Sequence, residues 1–229
     1  MLKTAAVLAL AVAALLGSVT AAPAIAIFSA GGPGDGFGTL ACANGTVSCP
    51  STVVNITTPN IAWQPNNPLG SNAVWVSFDA AHGSTGPKLA APNANPGNQT
   101  VIFNYSFSLA TPAKLSLNIW ADDTAQVFVD HVSQILGNGT QDSHCAAGAI
   151  GCEVGEDGTI SSLLLGTGAH EIEFAVYQRV VNSKTGTPFG LLFAGDLTPV
   201  PEPASILLLG SALTAVGMAS KRRWFRKKN

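Results

Sequence analysis

The chain has 229 residues, 47% of them hydrophobic and only 10% charged, with four cysteines and a formal net charge of −2. That length and apolar content suit one domain with a sizeable core. The near-neutral total hides an uneven distribution: Lys3 and six of the last nine residues are cations, leaving Lys88, Lys114, Arg179 and Lys184 against twelve acids between Ile27 and Thr198, a formal −8. A body so acidic and poor in lysine excludes nucleic acid as a partner, because neutralising phosphates requires a basic surface.

Residues 1–26 read as a secretory signal peptide. Lys3 is a minimal positive n-region and Ala5 to Leu16 an apolar h-region, while Ala24-Ile25-Ala26, or Thr20-Ala21-Ala22 before it, offers the small-residue pattern that signal peptidase requires. The body is then residues 27–199. Its cysteines repeat a spacing, with six residues between Cys42 and Cys49 and six between Cys145 and Cys152. Both intervals hold glycine and small side chains that can turn the backbone, so in an exported protein they predict two local disulfides, Cys42–Cys49 and Cys145–Cys152. The alternative is a metal site using His144 beside Cys145, but zinc ligand pairs are usually closer in sequence.

Ile27 to Leu40 is glycine-rich without the lysine and flanking strand and helix of a phosphate-binding loop, and reads as a flexible mature N-terminus or a first loop. Ser51 to Thr57 is β-branched and precedes a turn-rich stretch. Ala73 to Asp79 alternates, with Val74, Val76 and Phe78 against Trp75, Ser77 and Asp79. Thr100 to Leu109 is the clearest strand: Val101, Phe103, Tyr105, Phe107 and Leu109 share one face. Further strands are predicted at Ala113 to Trp120, Ala125 to Val132, Ile160 to Leu165, His170 to Val181 and Gly190 to Gly195. No stretch of the body holds a 3.6-residue apolar period. The expected fold class is therefore all-β, an antiparallel β-sandwich with one face of each strand buried. Periodicity does not choose between immunoglobulin-like and jelly-roll topology.

Two stretches add a resemblance. Ala121-Asp122-Asp123 leads into Val127-Phe128-Val129-Asp130, and Leu165-Gly166-Thr167-Gly168-Ala169-His170-Glu171-Ile172-Glu173-Phe174 precedes Gly190-Leu191-Leu192. Together they resemble galactose-binding-type jelly rolls, although Asp130-His131 stands where that family would have Asn-Gly. The resemblance implies a jelly-roll sandwich and a carbohydrate ligand, for which Trp63, Trp75 and Trp120 are candidate stacking platforms.

Catalytic constellations are absent from the sequence: there is no Gly-x-Ser-x-Gly elbow and no His-x-x-x-His pair. Glu171 and Glu173 share a strand face at a spacing that fits glycosidase carboxylates, but charges alternating with Ile172 and Phe174 are what any solvent-facing strand shows. The expectation is that the protein is not an enzyme and needs no cofactor. The candidate exception is structural calcium at Asp122, Asp123 and Asp130, whose hard oxygens sit near a predicted turn.

The C-terminal thirty residues are of a different kind. Val200-Pro201-Glu202-Pro203 is followed by an uncharged run from Ala204 to Ser220, and then by Lys221, Arg222, Arg223, Arg226, Lys227 and Lys228. As a helix, that run reaches about 25 Å at ~1.5 Å per residue, the short end of what spans a hydrocarbon core. The cations behind it would remain on the cytoplasmic side. This arrangement resembles the PEP-CTERM sorting signal of exported bacterial proteins. The resemblance implies a Gram-negative cell, transient inner-membrane anchoring by a single C-terminal transmembrane helix, and cleavage near Pro201-Glu202-Pro203 by an exosortase. The partners would be signal peptidase, exosortase and extracellular polysaccharide. The expected role is a non-enzymatic cell-surface or matrix protein linked to exopolysaccharide or biofilm. The alternatives are a secreted carbohydrate-binding module and a secreted hydrolase with an unrecognised site.

Overall fold

A computed structural model describes residues 22–30, 37–42, 53–56, 58–77, 99–122, 124–135, 150–177, 189–200 and 210–211. The chain divides into two units, Pro23–Pro199 and a second made of Met1–Ala22 with Val200–Asn229. Of the second unit only residues 22, 200, 210 and 211 are described, so the signal peptide, Pro201 to Pro203 and the basic tail lie outside the described residues. Among the described residues no helix is long and apolar enough to cross a membrane; of the expected span only Gly210 and Ser211 are included.

The first unit is built from two antiparallel sheets. One runs in the order β2 (Phe37–Cys42), β5 (Gln99–Leu109), β10 (Gly168–Tyr177), β7 (Thr124–Val129), β8 (Val132–Ile135). The other runs β3 (Val54–Asn55), β4 (Val76–Ser77), β11 (Gly190–Pro199), β6 (Ala113–Asp122), β9 (Gly158–Leu165), with β1 (Ile25–Phe28) also paired to β11. All-β architecture in two sheets follows the alternation in the sequence. Val101 and Phe103 of β5, Ile172, Phe174 and Val176 of β10 and Val127 of β7 point inward from the first sheet. Leu115, Leu117 and Ile119 of β6 and Leu191 and Phe193 of β11 meet them from the second. The sheets are pinned together by Phe174 stacked on Phe193, with ring centroids 4.7 Å apart and planes 17° from parallel, while Tyr105 meets the edge of Phe193.

The six-stranded sheet is buried on both faces where Trp120 of β6 and Leu192 and Ala194 of β11 lie. Its outer side carries a second apolar cluster of Ile56, Trp63, Ala73, Trp75, Trp120, Cys152, Leu192 and Ala194. Burial of both faces explains why Phe189 to Ala194 reads as a continuous apolar run rather than as an alternation. The covering layer is irregular chain, held by backbone bonds from Gln64 N–H to Cys152 O (2.7 Å) and from Ala121 N–H to Gly151 O (2.9 Å).

Three strands differ from expectation. The glycine-rich first loop instead contains β1 and β2, and β1 begins at Ile25, inside the segment expected to be removed. The strand expected from Ala125 to Val132 is two strands, because the chain reverses at Asp130-His131. A type I′ two-residue hairpin turn requires φ > 0 at both positions, which Asp and His tolerate better than most residues. Here φ is 50° at Asp130 and 63° at His131. Cys152 is buried, and no described cysteine is a free thiol. Cys49 and Cys145, and the side chain of Cys42, fall outside the described residues.

Candidate functional site

The tryptophans expected to stack on a ligand do not face solvent. Trp75 is 0% exposed and Trp63 and Trp120 are 3% exposed each, all within the outer cluster of the six-stranded sheet. Trp63 and Trp75 pack on each other at 4.3 Å, the Trp75 indole N–H donates to Gln64 O, and the Trp63 indole N–H donates to Asp122 Oδ2 at 2.9 Å. Alternation put Trp75 and Trp120 on the face opposite the main core, but that face is roofed by chain that includes Trp63, so all three are core residues.

The calcium trio is likewise not assembled. Asp122 is buried at one end of β7, bonded to Trp63, and Asp130 lies beyond the other end. Six residues of strand at ~3.3 Å each set them roughly 20 Å apart, too far to share an ion whose ligands sit at about 2.3–2.6 Å. Asp123 is outside the described residues. The acidic turn at Glu156 and Asp157 caps its own backbone and neighbours: Glu156 Oε2 accepts from Glu153 N–H, and Asp157 Oδ2 from Asn118 Nδ2 and Thr159 Oγ1.

What the fold does bring together lies at the β7–β8 turn and the facing end of β10. Asp130 is clamped there. Its Oδ1 accepts from Glu171 N–H at 3.0 Å, its Oδ2 meets His170 Nδ1 at 2.8 Å, and its own N–H donates to Glu171 O at 2.9 Å. These bonds offset the cost of two left-handed residues, about 1 kcal/mol or more each. His170 also contacts Gly166 O through Nε2 at 3.0 Å and lies against Phe107. Both of its ring nitrogens thus face acceptors, and neither offers a lone pair to a ligand while those contacts are made.

The Asp130 carboxyl sits below its ordinary value of 3.8. Partial burial pushes it up, and the His170 hydrogen bond, the Glu171 N–H and the charges of His170 and His131 together outweigh that push. A folded value below the unfolded one means that the stabilisation is present above about pH 4 and disappears as the pH falls through the lowered folded value. The Asp130→Asn variant is therefore expected to melt below wild type at pH 5–6, by under about 1 kcal/mol for so exposed a group. The difference should close towards pH 2–3, and thermal melts across that range check it.

Beyond the turn, the outer face of the five-stranded sheet is half-buried at Asn104, Gln126, Phe128, Glu171 and Glu173 and buried at Ala175 and Tyr177. Glu171 pairs across to Ser106 on β5, and Glu173 stands between Asn104 on β5 and Phe128 on β7. Next along the face, Tyr177 Oη donates to Gln126 Oε1 at 2.7 Å. The turn brings His131, with its side chain 75% exposed, over this face, so that Nδ1 lies 3.4 Å from Glu173 Oε1. Ligand atoms of His131, Glu171 and Glu173 all lie within 4.8 Å of one another. The sequence showed Glu171 and Glu173 on one face; His131 joins them only through the β7–β10 register and the two-residue turn.

No family model matches the chain, and no curated protein does. Similar solved structures include a GH26-CBM35 β-(1,4)-mannanase from Podospora anserina, 12% identical over 73% of this chain and 29% of that one, with a TM-score of 0.30. A cycloisomaltooligosaccharide glucanotransferase from a Paenibacillus species, complexed with cycloisomaltoheptaose, is 13% identical over 72% of this chain and 18% of that one (TM-score 0.27). An exo-β-1,3-galactanase from Phanerochaete chrysosporium, with β-1,3-galactotriose, is 12% identical over 69% and 29% (TM-score 0.30). The chain spans less than a third of the length of each. Likenesses at this level assign neither a detailed topology nor a function.

Proposed function

We propose that this is an exported, non-enzymatic surface or matrix protein, carried by a cleavable leader and a PEP-CTERM-type C-terminal sorting segment and released by an exosortase. The observation that carries this reading is the order of residues after the body: Val200-Pro201-Glu202-Pro203, an uncharged run, and six cations. The position of β11 supports it, since the strand ends at Pro199 and a cut within 201–203 leaves every body strand whole. At the other end β1 starts at Ile25, which favours leader cleavage after Ala22 over cleavage after Ala26. Mass spectrometry of the secreted protein is expected to show a C-terminus near Pro201 to Pro203 and an N-terminus upstream of Ile25. Recovery of secreted protein that still contains Arg226 sinks the processing reading. In an exported setting Cys152 is proposed to pair with Cys145.

A second reading, a carbohydrate-binding module, is favoured by the half-exposed outer face of the five-stranded sheet at Glu171, Glu173 and Phe128. Carboxylates at Glu171 and Glu173 with the Phe128 ring directly across from Glu173 supply hydrogen-bond acceptors and an apolar surface, the pairing that sugar faces require. Purified cell-surface polysaccharide is expected to bind wild type and to bind Phe128→Ala at least tenfold more weakly. Equal binding by the two proteins removes this face as the ligand site.

A further inference from the structure

We propose that His131, Glu171 and Glu173 form an open divalent transition-metal site, with zinc the first candidate. The inference is independent of the sorting and carbohydrate readings. It rests on donor chemistry and geometry together. Two zinc ligands at about 2.0–2.1 Å in tetrahedral arrangement are about 3.3–3.4 Å apart, and His131 Nδ1 and Glu173 Oε1 are separated by 3.4 Å. The third donor, from Glu171, is already within 4.8 Å of both, and a half-buried glutamate with three side-chain torsions closes such a gap by changing rotamer. One imidazole nitrogen with two carboxylates is a mixed set that suits borderline cations and suits calcium poorly, because calcium takes oxygen ligands. The two carboxylates neutralise a divalent charge.

The rest of the cluster positions these donors. Asp130 receives the Glu171 N–H on one oxygen and His170 on the other, which fixes the strand carrying both glutamates against the turn carrying His131. His170 is occupied on both nitrogens and is a positioning residue, not a ligand. His131 is held at φ 63°, a conformation in which glycine would be less strained. Three protein donors on a half-exposed face leave at least one coordination position open to water or to an oxygen-rich ligand.

The plain alternative is an ion pair between protonated His131 and Glu173. Calorimetric titration of the full chain with zinc chloride in chelator-free buffer separates the two. One equivalent is expected to bind, with affinity at least a hundredfold tighter than for calcium. His131→Gly and the isosteric Glu173→Gln are each expected to weaken zinc at least tenfold, with His131→Gly melting no lower than wild type, so that loss of binding is not loss of fold. Cobalt(II) should give d–d absorption in wild type that His131→Gly abolishes. Absence of stoichiometric zinc binding, zinc binding that survives both substitutions, or calcium binding as tight as zinc would each overturn the site.

Discussion

Trp75→Ala is expected to destabilise the body by about 3–5 kcal/mol, the range for truncating a large ring in a packed interior. Trp75 is completely buried, lies against Trp63 at 4.3 Å and donates its indole N–H to Gln64 O. Deleting it leaves a cavity and strands that carbonyl in the same step, two costs that add. The layer it anchors is irregular chain with few ladder bonds of its own, so the cavity is not healed by a neighbouring strand. Urea denaturation of Trp75→Ala against Trp75→Phe measures the effect, and the phenylalanine variant should recover more than half of the loss. A stacking platform on a sugar site would behave in the opposite way, with binding lost and stability unchanged.

Gly195→Ala is expected to cost about 3 kcal/mol or more, the upper end of overpacking penalties. Gly195 pairs with Leu117 of β6 on one side and Ile27 of β1 on the other. A Cβ here would collide with the backbone oxygen of Ser116 and stand 2.9 Å from Leu117 Cα, atoms that no rotamer change moves away. The strands would have to part along the middle of the six-stranded sheet. Gly166→Ala, with nothing within 4 Å of the added carbon, is the matched control and should shift the denaturation midpoint little.

The pattern of hydrophobic residues carried the fold class because most strands bury one side only. Val101 to Leu109 and Ile172 to Val176 announce both their strand character and their inward face. Where that condition fails, legibility fails too. Trp75 and Trp120 point away from the main core, as alternation says, but no pattern within a strand reveals that a distant irregular segment covers the opposite face. β7 and β8 merged into one expected strand because Asp130-His131 makes a turn that usually advertises itself as Asn-Gly. β2 was hidden by glycine, which weakens strand propensity without forbidding a strand that its neighbours hold in place, and β1 by straddling the expected leader boundary at Ala26. Asp122 and Asp130, grouped along the sequence, are separated by the length of β7, whereas His131, forty residues before Glu171, lies beside it. Grouping along the chain is a poor guide to grouping in space when a strand intervenes, and register decides which residues meet.

β11 has a consequence for the order in which the body assembles. It is the last body strand that the ribosome delivers, yet it is flanked by β6 on one side and by β1 and β4 on the other. Its side chains contribute to both apolar clusters, through Leu191 and Phe193 on one face and Leu192 and Ala194 on the other. Until it emerges, Phe174 and Trp75 have no wall to pack against, and β1 has no partner, since Ile25 waits for Leu197 about 170 positions downstream. Both apolar clusters are therefore complete only once β11 is in place. A chain that stops short of Gly190 holds every strand of the β2-β5-β10-β7-β8 sheet but leaves both apolar interiors unfinished.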